Sequence, residues 1–236
     1  MKQTLRWSLG LILTVGLTGV GQSAAARLSQ PSLTVTIHVH NYAEVDHKTL
    51  MEAEKVATQI FRKAGVETLW VETVMTAQNN QENSADWSSF APPHIWLTIL
   101  PRPIAEVLNL SNNVMGLAPG TGPNRHVIYV FYNRVEALSQ KLATARLEGK
   151  IKNVVTTSQI LGHAIAHELG HVLLNIETHS ETGIMRGDCN TKDLQDASSG
   201  LLIFTPQQAE VIRAEIARRV RQAPEGTAHE SSTLTR

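Results

Sequence analysis

The sequence predicts an α+β fold, on three observations. Short β-branched runs alternate with helical patterns over the first two thirds of the chain. A strongly apolar helix then carries His167, Glu168 and His171. A loop-rich stretch follows and ends in one more helix. Composition agrees: 236 residues, 42% hydrophobic and 18% charged, are ample for a real core. With 21 basic and 21 acidic residues the chain has no global basic field, which argues against nucleic acid as a partner and against charge-driven membrane binding. A single Cys excludes an internal disulfide framework. Ten His beside three Tyr and four Phe is a skewed allotment, and their placement directs the functional reading.

Residues 1–26 read as a secretory signal peptide. Lys2 and Arg6 form the positive start, Trp7 to Val20 is apolar, and Gln22-Ser23-Ala24-Ala25-Ala26 supplies the small-residue cleavage site. The alternative is an uncleaved anchor, but this stretch is Gly-broken and shorter than the ~20 residues a span requires. The expected mature chain starts near Arg27 and is secreted or periplasmic, with no stable membrane association. It loses two bases and no acid, so its net charge becomes −2.

Leu33 to His40 alternates and is β-branched, a strand. Asp46 caps a helix from His47 to about Lys63, with Leu50, Ala53, Ala57, Ile60 and Phe61 on its apolar face and Gly65 closing it. Val66 to Thr73 is a second strand. Thr76 to Pro93 is polar, a loop, a lid or a slack insert. His94 to Leu100 is a third strand, stopped by Pro101 and Pro103. Met115-Gly116-Leu117-Ala118 suggests a short edge strand, and His126 to Tyr132 a buried one. Helical spacing runs on through Val135, Leu138, Leu142 and Ala145 to Gly149.

The next helix spans about Ser158 to Leu174, and Thr156 and Gln159 have capping-box spacing. Asn175 is its expected terminator, because Asn tolerates the left-handed conformation. Residues 175–200 read as irregular. Thr205 and Pro206 then open a last helix, with Ala209, Ile212 and Ile216 inward. Its Arg213, Arg218, Arg219 and Arg221 read as a solvated face.

Chemistry concentrates in that next-to-last helix. His167 and His171, four apart, stack on one face about 6 Å from each other, where both reach one metal. Glu168 projects beside that metal and can take a proton from its water. This is the HExxH arrangement of zinc-activated hydrolysis, with Zn2+ as the expected cofactor. Catalytic zinc wants a third protein ligand. His179, Glu177, Glu181 and Asp188 are candidates, and a turn after Leu174 is needed to fold His179 back.

His167-Glu168-Leu169-Gly170-His171, followed by His179 and Gly183-Ile184-Met185-Arg186, resembles the metzincin clan of zinc metalloproteases. It is also similar to a group of bacterial metalloprotease-like proteins sharing a HELGH…SHS..GIMR pattern, down to the Phe204-Thr205-Pro206 start of the last helix. The likeness covers most of the mature chain, but only Gln159 to Arg186 matches residue by residue. It implies a twisted, mostly parallel N-terminal sheet with an antiparallel edge strand, an active-site helix and an irregular C-terminal subdomain ending in a helix. It divides the chain into an N-subdomain to about 174, a C-subdomain over 175–222 and a polar tail over 223–236. It makes His167, His171 and His179 the zinc ligands, Glu168 the catalytic base and Met185 the Met-containing turn under the metal.

Two departures bear on the third ligand. Leu174 stands where the clan has Gly, and Glu177 where it has the third His, so His179 falls two residues late. Glu177 stays a competing ligand, although the Gly-Ile-Met context favours His179. Gly187 also stands where some metzincins place a Tyr ligand.

His163 reads as a core or cleft-floor residue, because it lies about 12 Å along the helix axis from His171. Cys189 reads as structural or incidental, and His38 and His40, which share one face of a strand, as strand-surface residues in preference to a second metal site. Together these features imply an exported zinc-dependent endopeptidase acting on protein or peptide substrates. The rivals are a gluzincin-like peptidase using Glu177 or a later acid, and a zinc-containing binding protein without proteolytic activity.

Overall fold

β1 (Thr34–Asn41) sends Val35, Ile37 and Val39 into the core, as its alternation requires. The structure is a computed structural model. It describes residues 33–72, 93–101, 104, 107, 110–111, 114–120, 122, 125–151, 155–187 and 191–222. Residues 1–26, read above as a signal peptide, residues 76–92, Asp188, Cys189 and residues 223–236 lie outside the described residues.

After β1, α1 (His47–Lys63) begins where the Asp46 carboxylate accepts from the Thr49 amide at 3.0 Å. Gly65, at φ 79°, turns the chain into β2 (Glu67–Glu72). β3 (His94–Leu100) and β5 (Val127–Phe131) complete the parallel part of the sheet. β4 (Gly116–Leu117) pairs antiparallel with β5 at one edge. The order is β2-β1-β3-β5-β4, so the fold is α+β around a mostly parallel, mixed five-stranded sheet.

α2 (Tyr132–Leu147) follows β5 directly and buries Val135 and Leu142. Arg134, at its start, is also buried. It donates to the carbonyls of Val114 and Leu110, which ties down the chain leading into β4. α3 (Thr157–Leu174) opens on the expected capping box of Thr156 and Gln159 and closes on Asn175, left-handed at φ 53° and ψ 43°. It is buried on nearly all sides. α1 crosses α3 at Gly162, where an added Cβ would lie 2.6 Å from the Ala53 carbonyl and 2.7 Å from Val56 Cβ. That close approach sets α3 in the same core as the inner residues of the sheet.

Two expectations need correction. The stretch 175–200 is not irregular throughout, because α4 (Thr191–Ser198) forms within it and buries Asp193 and Ala197. The arginines of α5 (Pro206–Gln222) are also not a purely solvated face. Arg213 donates to the Ala64 carbonyl at 2.8 Å. Arg219, with its side chain 11% exposed, donates to Glu215 at 2.7 Å and to the carbonyls of Arg125 at 2.9 Å and Val172 at 3.3 Å. Ala64 and Val172 lie at the C-terminal ends of α1 and α3, where carbonyls lack intrahelical donors, and the arginines supply them. Arg218 pairs with the same Glu215 at 2.7 Å, and Arg221 remains exposed. Among the described residues no helix is long and apolar enough to cross a membrane.

Candidate metal centre

α3 carries His167 and His171 one turn apart, and each ring is fixed by its Nδ1. His167 Nδ1 donates to the Ile184 carbonyl at 2.7 Å, and His171 Nδ1 to the Ile176 carbonyl at 3.0 Å. A carbonyl can only accept, so Nδ1 holds the hydrogen in both rings. Both Nε2 lone pairs are left to converge, 3.1 Å apart.

His179 arrives from outside the helix. The left-handed Asn175 breaks α3, and the Ile176 amide donates back to the His171 carbonyl at 3.3 Å. The chain then returns so that the His179 ring centroid lies 5.2 Å from that of His167 and 5.1 Å from that of His171. One ring nitrogen from each of the three lies within 4.8 Å of the others. Among the described residues this is the one group of three or more His, Cys, Asp or Glu side chains so arranged. Glu177 and Glu181, both exposed, are not in it.

Glycines make room for this packing. A Cβ on Gly187 would lie 2.9 Å from the His179 ring, so glycine there lets the imidazole lie flat on the chain. A Cβ on Gly170 would overlap the Met185 thioether, which seats fully buried against α3. The segment holding Met185 is itself tied down: Ser180 donates its amide to the Met185 carbonyl at 2.9 Å, and Ile184 to the Ile203 carbonyl at 3.0 Å.

Glu168 is buried beneath the edge strand. An added Cβ on Gly116 would come 2.5 Å from Glu168 Cγ and 2.6 Å from its Oε1, so β4 touches this carboxylate through a glycine. Burial pushes the Glu168 carboxyl up to about 8, and the Arg125 charge opposes that rise. Burial likewise pushes His167 down to about 4, helped by the neighbouring His171 and His179. His171 is lowered by burial and by the charges of His179 and Arg125. Neutral imidazoles are the metal-binding form. The donor set therefore fits a borderline cation such as zinc: three ring nitrogens, two of them with tautomers fixed by backbone carbonyls and with proton affinity lowered by burial.

The sequence reading missed Arg125. It is buried and donates to the Ala118 carbonyl of the edge segment and, at 3.4 Å, to the Ile176 carbonyl that also anchors His171. It thus joins the edge strand to the loop behind the triad. The available signal was an arginine set between a Pro-Gly-rich turn and a buried strand, where a solvated side chain is unexpected. His163 stays outside the triad, buried, with its Nδ1 donating to the Gln159 carbonyl at 2.7 Å. No protein-family model matches the chain, and no curated protein matches it significantly.

Proposed function

We propose that this chain is an exported zinc-dependent endopeptidase of the metzincin kind. The observation that carries the reading is the convergence of His167, His171 and His179 next to a buried glutamate that abuts an edge strand. His167, His171 and His179 would hold the ion, and Met185 packs beneath the helix that presents two of them. Zinc bound there supplies Lewis acidity, making water acidic and a peptide carbonyl electrophilic. Glu168 takes a proton on its carboxylate from the attacking water and returns it to the leaving amine. β4 ends the sheet, so its outer edge offers main-chain groups to an extended protein or peptide substrate. The export assignment rests on the layout of residues 1–26.

The test uses the zinc-loaded full chain and an unfolded protein substrate. Cleavage is expected, is abolished by chelation and is restored by zinc. Glu168→Gln should retain one equivalent of zinc and lose cleavage. A Gln variant that cleaves at the wild-type rate rejects the mechanism. Folded, zinc-loaded wild type that cleaves nothing favours a zinc-containing binding protein. Unchanged zinc content and activity in His179→Ala, with loss in Glu177→Ala, would instead give the third ligand to Glu177.

A further inference from the structure

The outer face of the sheet gathers a second set of imidazoles. Alternation sends Thr36, His38 and His40 of β1, and His94, Trp96 and Thr98 of β3, away from the helices. The parallel register sets Thr36 opposite His94 and His38 opposite Trp96. From there His38 reaches diagonally, and its Nε2 lies 2.7 Å from His94 Nδ1. Its ring stacks on Trp96 with centroids 5.0 Å apart and planes 8° apart. Thr36, only 3% exposed, has a hydroxyl with no hydrogen-bond partner among the described residues, next to His94 in the register.

We propose that His38 and His94 form a second metal site, for a divalent d-block cation that prefers imidazole, Cu(II) or Zn(II). Two neutral imidazole nitrogens at 2.7 Å must share a hydrogen. A cation can replace it: metal–nitrogen bonds of about 2.0–2.1 Å at a tetrahedral angle separate the two nitrogens by roughly 3.3 Å, so the rings need only part slightly. The hydrogen moves to the far nitrogen of the donor ring, so binding to the neutral pair releases no proton. The Nε2 atoms of His167 and His171, at 3.1 Å, show the same kind of approach inside the triad. Two imidazoles are the donors identified among the described residues, a set that disfavours the hard cations Ca2+ and Mg2+. Burial, then neighbouring imidazoles for His38 and His94, lowers the proton affinity of these two rings, and burial that of His40, which favours the neutral rings that bind a metal. With two protein ligands among the described residues against three in the triad, this site fills after the triad.

The experiment titrates the zinc-loaded full chain with Cu(II), following tryptophan fluorescence and electron paramagnetic resonance. The expected result is a further equivalent that quenches Trp96 and shows coupling to two imidazole nitrogens. His38→Gln and His94→Gln should each weaken that uptake roughly tenfold or more, whereas His179→Ala leaves it in place. Both residues are partly exposed, so the variants should fold. A variant-free reading comes from imidazole proton resonances of the wild-type chain as Zn(II) is added beyond one equivalent. Shifts at His38 and His94 support the site. No metal uptake beyond the triad's own equivalent, resonance shifts confined to the triad, or quenching and nitrogen coupling that persist in both Gln variants overturn it. None of these readouts depends on proteolysis, so the site stands or falls independently of the proposed activity.

Discussion

Hydrogen bonds to the far nitrogen decide what His167 and His171 can do, and a few single atoms decide the rest of the centre. Gly116 is the sharpest case. Replacing it with Ala drives a methyl group into Glu168, while the triad lies outside the clash. Gly116→Ala is therefore expected to keep its zinc and lose cleavage by about a hundredfold, the scale of a displacement near 1 Å at a reacting group. Metal analysis beside rate measurement checks it. Glu168→Gln should cost on the order of 10²–10⁴ in rate with the same zinc content.

Away from the centre, burial and the nearby Glu72 push Glu54 up to about 7. Between its ordinary value of 4.5 and 7 the native state holds a proton that the unfolded chain releases, so this residue lowers stability as pH rises through that window. Glu54→Gln should raise the melting temperature at pH 8 and leave it nearly unchanged at pH 4. The pairing of His167 with His171 and the place of Glu168 beside them were legible in the four-residue spacing, whereas His179 was one of several candidates, favoured only by the Gly-Ile-Met context after it. Arg125 was not legible, because its two acceptor carbonyls are set by tertiary folding and leave no pattern beside it in the chain.

At the level of elements, caps and breakers were the most readable features. Asp46, the Thr156–Gln159 box, Asn175 and Thr205 mark boundaries by local hydrogen bonding, which acts within a few residues and so is visible in sequence. α4 escaped notice because its eight residues are mainly polar and give only a short apolar face. The arginines of α5 were misread for a related reason: a helix shows which residues share a face, but not which foreign carbonyls that face will meet. Helix crossing is equally invisible until α1 and α3 are placed together. Gly162→Ala at that crossing should destabilise the protein by about 1–3 kcal/mol, an overpacking cost read from the denaturant midpoint.

For the whole molecule, the fold class followed from the alternation of periods, whereas the strand order β2-β1-β3-β5-β4 did not follow from it. Order depends on how crossovers pack, a property of the assembled sheet; only the family resemblance supplied its mostly parallel character and antiparallel edge. The chain has a single Cys, so no internal disulfide staples it. A bound metal would be its strongest cross-link between α3 and the segment after Asn175. Free zinc at a thousand times its dissociation constant stabilises the native state by about 4 kcal/mol. Chelation should accordingly lower the melting temperature of wild type, and His171→Ala should already melt low and respond little to the chelator.

The hydrogen bond from His167 to Ile184 spans 17 residues, and the turn carrying His179 is shorter still. The sheet, by contrast, must bring Thr36 to His94 before β1 and β3 can pair. Loop-closure entropy grows with such separations, so the two parts of the molecule differ in how much chain must be gathered before each can form. The candidate metal centre spans only short separations along the chain. An ion held there would tie α3 to the segment after Asn175 by closing a short loop, at little entropic cost beside that of bringing β1 to β3.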